Sequence, residues 1–555
     1  MSRPNPAVLF GFFVAVIVAM CGAALLKGGF YVGKHEGDTL HMLDIVMRMA
    51  EGQWPHLDFM TPVGALAFAP VALFVKLGFP VGKSIFLAQG LVALVFLPAV
   101  WWVSFSRLRG FAAYLFGLFV LVLITALVPG EAQRSVSISM SYNRWSWAAA
   151  FVAIALAVVP ARGRARPLAD GVIIGLAMAA LALTKMTYFA AFLVPVVVAM
   201  ALRGSFRAMF WALVAGFSVA ALVTLLAGFE FWAAYLKDLL AVAASDIRPN
   251  PGEPFGAVLG APAYLGASLT LIAGVILLRQ AGEAVGGLVL LLLTPGFFYV
   301  TYQNYGNDPQ WLMLLGVLLL AFLPRLEIRN GLGWNMRTAL KVNAAIALAF
   351  AAPSFFNLAY SPFRHLNTDT ADYTPLVPGN PRTADLFAAN TRIARLDEKI
   401  PLPGDMPGRA AYDKLAEREP PTVFNGETLP DCALDDGMTA WFALTVKDLE
   451  RAGLAQGRRV FAADLLSSEW LFGSFEPLVG GAPWYYGGLP GIESADYLLV
   501  PLCPIIPKSR DIVLKNIQDA GLAFTEIRRT PFYILYEPAA PSGAEESAGD
   551  QVEGQ

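Results

Sequence analysis

The sequence predicts a polytopic α-helical membrane protein of about 11–13 transmembrane helices, followed by a small C-terminal α/β domain. Three observations predict it. Hydrophobic residues make up 57% of the 555-residue chain and charged residues only 15%, against roughly 25% charged in a soluble globular protein; the mean hydropathy is +0.57. Long apolar runs recur from residue 8 to residue 356. From about Ser361 prolines, charges and turn residues appear and the long runs stop. The net charge of −2 gives no sign of nucleic-acid binding.

The first run, Val8 to Phe30, follows Arg3 and continues through Leu25, Leu26 and Phe30. A cleaved signal peptide would have a shorter apolar core and a small-residue cleavage site, so a retained anchor is expected. Further runs lie at about 63–77, 85–104, 111–129, 146–160, 171–184, 187–202, 209–228, 263–278, 286–302, 310–323 and 338–356. Arg107, Arg109, Arg162, Arg164, Arg166, Arg203, Arg207, Arg279, Arg325, Arg329, Arg337 and Lys341 fall on one side, which the positive-inside rule makes cytoplasmic. With the N-terminus inside, parity requires that the short run 63–77, which holds Gly64 and Pro70 and follows Pro62, does not cross fully. A broken helix lining a cavity meets that condition, leaving about 11 full crossings, or 12 to 13 otherwise. The stretch 171–202 as one helix would reach roughly 48 Å, beyond a hydrocarbon core of about 30 Å. Its middle is Thr184-Lys185-Met186-Thr187, so two helices meeting at Lys185 are expected.

The domains read as a transmembrane domain over 1–356 with a first outer loop at 30–62, a periplasmic α/β domain over 357–538 and a disordered acidic tail over 539–555. Residues 460–465 and 496–501 read as buried strands and 524–528 and 531–536 as a strand pair. Residues 509–520 read as a helix with Ser509 as cap and Gly521 after its end. Cys432 and Cys503 either pair, if this third of the chain is on an oxidising side, or are two separate buried thiols.

The first outer loop opens with two carboxylates, Glu36 and Asp38, and continues as an amphipathic segment closed by Gly52, expected to lie along the membrane surface. Asp38 either caps that helix or carries chemistry. Two more polar islands stand out. Ser141–Trp147 holds Asn143 and Arg144 between Tyr142, Trp145 and Trp147; it is either an interfacial aromatic belt or a cleft lining. Thr301–Trp311 holds Gln303, Asn304 and Asp308 among aromatics; it is either a connection or a sugar-binding element, since polar groups at membrane depth tend to be functional.

The acidic pair Glu36 and Asp38, then Gly52, Trp54, Pro55, Asp58 and Phe59, then Pro62 and Gly64, with Leu183-Thr184-Lys185 further on, resembles the GT-C class of integral-membrane glycosyltransferases. That superfamily includes the protein mannosyltransferases and the lipid A aminoarabinose transferases; here Gly37 separates the two acids. The resemblance implies transfer of a sugar from a polyprenyl-phosphate donor to a glycan, lipid or protein acceptor at the outer face of the inner membrane. Such transfer needs a carboxylate base, for which Asp38 is the first candidate and Glu36 the second. It needs cations for the departing lipid phosphate, with Lys185 first, then Lys83, Arg144 and Lys76. Asp58, Asn143, Gln303, Asn304 and Asp308 complete the expected substrate contacts. A divalent cation held by His35, Glu36, Asp38 and His41 is a further expectation from the donor types. No G-x-G-x-x-G follows a strand, so a nucleotide-sugar donor in a cytoplasmic Rossmann-type domain is not expected. A flippase would show mid-bilayer acids and internal repeats; a polysaccharide polymerase or ligase would not need an acidic pair directly after its first helix.

Overall fold

The structure, a computed structural model, describes residues 4–130, 133–247, 254, 256, 262–303, 308–400, 407–408 and 421–539. The chain is a mostly helical, multi-pass membrane protein with a smaller strand-containing C-terminal part, and it divides into two compact units, Met1–Leu57 with Thr61–Arg392 and Asp58–Met60 with Ile393–Gln555.

In the first unit, α1 (Pro6–Leu26) begins where Asn5 accepts from the N–H groups of Ala7 and Val8. A short strand β1 (Phe30–Val32) leads to α2 (Glu36–Ala50). The run expected to be broken is a 3-10 turn at Ala65–Ala67 followed by α3 (Ala69–Lys76), too short to span. Then come α4 (Val81–Arg107), α5 (Gly110–Thr125), α6 (Ser141–Val158), α7 (Pro167–Thr184), α8 (Met186–Leu202), α9 (Phe206–Ala227), α10 (Glu230–Ala243), α11 (Pro262–Gln280), α12 (Ala284–Gln303), α13 (Trp311–Ala321) and α14 (Met336–Leu366). Among the described residues α1, α4, α7, α9, α12 and α14 are long and apolar enough to cross a membrane, and α5, α8, α11 and α13 are apolar but shorter. Lys185 stands between α7 and α8 in extended backbone (φ −153°, ψ 105°), the break that its charge within an apolar run predicts.

The division between the units falls at 392/393, not at 356/357. The reason is local: α14 runs ten residues past 356, and the chain then turns back to the first loop. Strand β2 (Tyr373–Pro375) lies antiparallel to β3 (Leu386–Ala389), which pairs in parallel with β1. A second difference concerns α2. Its residues from Thr39 to Arg48 are all buried, the Asp44–Arg48 ion pair (2.6 Å) included, so α2 is enclosed by protein rather than laid along a membrane surface.

In the second unit α15 (Met438–Arg451) buries Trp441, Phe442, Val446 and Leu449. Strands β4 (Val460–Ala462), β5 (Tyr497–Pro501), β6 (Phe524–Arg529) and β7 (Tyr533–Pro538) form a sheet in the order β6-β7-β5-β4, parallel only between β4 and β5. All five residues of β5 are buried. Helix α16 (Pro507–Asp519) starts two residues before Ser509, with Ile506 at its cap; Pro507 takes the first helical position, where its fixed φ is already helical. Gly521, at φ +65°, follows the helix end as expected. Cys432 and Cys503 are disulfide-bonded across 71 residues. Residues 540–555 of the tail lie outside the described residues.

Candidate active site at the α7–α8 break

The break at Lys185 makes a pocket. A cavity of about 140 Å³ is lined by Lys185, Met186, Pro62, Val63, Tyr142 and Gln303, with Tyr299 and the α10 residues Leu239, Val242 and Ala243 on its other walls. Lys185 is buried, and a buried ammonium is costly without hydrogen-bond partners. Its Nζ donates to Asn143 Oδ1 (2.9 Å) and stands 5.2 Å from the centre of the Tyr142 ring, which offers a cation–π contact. Gly64 N–H donates to Thr184 O (3.1 Å), so the end of the first loop is fastened directly to the last turn of α7.

Behind the pocket the start of α6 holds unused donors. Arg144 is buried; its Nη2 donates to Ala126 O (2.9 Å). Its Nε and Nη1, Asn143 Nδ2 and Trp147 Nε1 are buried and find no hydrogen-bond partner among the described residues. Each unsatisfied buried donor costs about 1–3 kcal/mol, more for a charged group. A cluster of them on residues 143, 144 and 147 marks a place built to receive acceptor atoms.

Asp38 joins this region through the segment before α6. It lies in the first turn of α2, two residues after the helix begins, rather than at the cap, where His35 sits at φ +65°. Ser139 Oγ donates to Asp38 Oδ2 (2.8 Å). From Ser139 the chain passes Met140, held at φ +57°, and enters α6 two residues before Asn143. Asp38, Asn143 and Lys185 are therefore linked by one short, constrained segment. Burial pulls the His35 imidazole below its usual range, against the pull of Asp38 and Glu36. Glu36 is placed differently: both its carboxylate oxygens accept from Arg392, the closest contact being 2.6 Å. It anchors α2 to the segment following β3.

The remaining candidates separate. Gln303 lines the pocket. Asn304 lies outside the described residues. Asp308 is buried against Gly130, where an added Cβ would come within 2.9 Å of its Oδ1. Lys83 is exposed at the start of α4, its Nζ over the Phe79 ring and its N–H donating to Asp385. Lys76 borders a different cleft with Arg382 and Asp385. Asp58 falls in the second unit, its carbonyl accepting from Gly480. Among the described residues His35, Glu36, Asp38 and His41 do not bring ligand atoms together for one ion; the group that does is Glu398, Cys432 and Cys503, and the disulfide occupies both of its sulfurs.

Sequence reasoning missed Ser139, Arg392 and the pair His56–Asp238. For Asp238 a signal existed: Phe231, Tyr235, Asp238 and Val242 fall on one face of a helix, and an acid on that otherwise apolar stripe asks for a buried partner.

Fold and site together define a multi-pass membrane protein with a cationic pocket at a helix break, walled in part by the end of the first loop. No family model and no curated relative matches the sequence. Among solved structures, ArnT from Cupriavidus metallidurans in the apo state is similar, at 12% identity and TM-score 0.45 over 94% of this chain and 96% of that one. The same enzyme bound to undecaprenyl phosphate gives 12% identity and TM-score 0.44 over 97% and 98%.

Proposed function

We propose that this protein transfers a sugar from a polyprenyl-phosphate carrier to an acceptor at the outer face of the inner membrane, with Asp38 as general base. The observation that carries the reading is the adjacency of two cavities. An apolar groove of about 360 Å³ between α7, α8 and α9 shares Met186 with the polar pocket of Lys185. An amphiphile with a long hydrocarbon tail and an anionic head has that division of chemistry. Its tail lies in the groove and its phosphate at Lys185 and Asn143, where the buried donors at the start of α6 supply further positive potential. The resemblance of the first loop to the GT-C class agrees with this placement.

In the transfer the acceptor hydroxyl attacks the anomeric carbon of the sugar. Its proton passes to Asp38, held by Ser139, and the bond to the phosphate breaks. Lys185 balances the charge that grows on the leaving phosphate. Glu36 positions α2 through Arg392 rather than accepting the proton. The Cys432–Cys503 bond supports a periplasmic second unit, since disulfides persist on the oxidising side.

The test is transfer from a radiolabelled polyprenyl-phosphate sugar in membranes. Asp38→Asn lowers turnover by at least about a hundredfold, the scale of a general base. Unchanged turnover in correctly inserted protein would remove Asp38 from the role.

A further inference from the structure

The stretch Trp54–Gly64 ends in the pocket wall, and one buried carboxylate outside the pocket holds it. Asp238, on α10, is 6% exposed, and its Oδ2 is shared by two partners from the loop, His56 Nδ1 (2.8 Å) and Thr61 N–H (3.1 Å). With the carboxylate ionised, Nδ1 carries the proton and donates. His56 sits at φ +74°, a left-handed conformation that a residue with a Cβ adopts only when its surroundings impose it. Those surroundings are also on α10: the imidazole stacks on Tyr235 (4.3 Å, 27°) and meets the edge of Phe231 (5.4 Å, 71°). Tyr235 Oη then donates to Ala182 O (2.8 Å), in the last turn of α7 before Lys185. The same helix presents Leu239 and Val242 to the pocket, opposite the Pro62 and Val63 that follow Thr61 in the loop.

We infer that Asp238 is a positioning residue: it clasps His56 and Thr61 to α10 and so sets the Pro62–Val63 wall of the pocket that Lys185 lines. Neither Asp238 nor His56 borders the cavity, so neither touches a substrate there. A buried carboxylate–imidazole hydrogen bond is a poor source of net stability compared with apolar residues of the same shape; what it fixes here is which residues of the loop meet α10. That a sugar donor is the molecule fitted by this wall rests on the reading above. The clasp itself does not.

The test uses the full chain in membranes. Donor KM and kcat are measured for Asp238→Asn, Asp238→Ala, His56→Ala and the double variant His56→Ala/Asp238→Ala. In parallel Val63→Cys, in a Cys21→Ala background, is labelled with a water-soluble maleimide. Loss of the clasp raises the donor KM about tenfold or more, the scale of one hydrogen bond to a charged group, and leaves kcat within about threefold. The double variant is no worse than Asp238→Ala alone, because His56 acts through that carboxylate. Labelling of Val63→Cys accelerates at least about tenfold when Asp238→Asn is added. Asp238→Asn keeps the volume and one acceptor, so it reports even where Asp238→Ala does not fold. Faster labelling with no transfer in the wild type upholds the clasp and ends the transferase reading. Transfer in the wild type, with KM and labelling unmoved by Asp238→Asn, ends the clasp and leaves the transferase reading intact. Additive effects of His56→Ala and Asp238→Ala also end it.

Discussion

Gly64→Ala is the sharpest perturbation of the pocket that leaves its chemistry untouched. Gly64 has φ −64° and ψ 155°, ordinary extended backbone, so alanine is no worse there on conformational grounds. The objection is space. A Cβ at Gly64 would lie 2.2 Å from Leu183 O and 2.4 Å from Leu183 C, where ordinary non-bonded contact begins near 3.5 Å. These are backbone atoms, so nothing flexible can move aside. Either the loop or the end of α7 must retreat by more than about 1 Å, stretching the Gly64–Thr184 hydrogen bond; overpacking of this kind costs about 1–3 kcal/mol. Both retreating parts carry pocket residues, Pro62 and Val63 on one side and Lys185 on the other. A misplacement of about 1 Å around reacting groups costs on the order of a hundredfold in rate. Transfer assayed in membranes therefore falls about a hundredfold for Gly64→Ala, with a modest drop in thermal stability. Gly22→Ala, where nothing lies within 4 Å, serves as control and keeps its activity. Turnover for Gly64→Ala within threefold of wild type, with unchanged melting, would refute the close approach and the role given to it.

Three further outcomes are expected. Lys185→Met removes the cation and keeps the length; donor use falls about tenfold to a hundredfold, the scale of a charge-assisted hydrogen bond, and a normal apparent donor affinity and rate would reduce Lys185 to a turn residue. Cys432→Ser/Cys503→Ser frees a loop of 71 residues, worth about 4 kcal/mol in chain entropy, seen as earlier unfolding of the second unit under protease. Asp464, buried after β4, accepts from the N–H groups of Leu465, Ile505 and Ile506, yet burial pushes its carboxyl up to about 6. A carboxyl raised on folding stabilises below its unfolded value near 4 and loses that contribution as pH rises to about 6, a difference of about 3 kcal/mol. Amide exchange in β5 consequently slows on acidification from pH 7 to 4 relative to Asp464→Asn; equal profiles would contradict the shift.

What the sequence could show, and what it could not, divides along physical lines. The membrane helices were legible because each apolar run carries its own signal: the 171–202 stretch overshoots a bilayer, and its break falls where Lys185 interrupts it; α10, in a stretch that reads as a loop, was not. The broken run after Pro62 and the four strands β4 to β7 of the second unit were legible in the same local way. The partners were not. Nothing in residues 36 to 38 announces that Arg392 will take Glu36 or that Ser139 will hold Asp38, because those partners lie 356 and 101 residues further along the chain. The burial of α2 was hidden for a related reason. Its polar face matches a surface helix, and only packed neighbours reveal that the Asp44–Arg48 pair satisfies that face internally. The domain boundary moved because a three-residue strand has too little sequence to declare itself.

The parallel pairing of β1 with β3, and the grip of Arg392 on Glu36, join positions 356 residues apart. At about 5–20 residues per second of synthesis, the helix that bears Asp38 waits roughly 20–70 s after its own emergence before its anchor exists. Every membrane helix of the first unit after α1 is made in that interval. A chain not yet made as far as Arg392 thus holds the Lys185 pocket and Asp38 without this fastening on α2, and the last constraint on that helix is timed by the ribosome reaching Arg392.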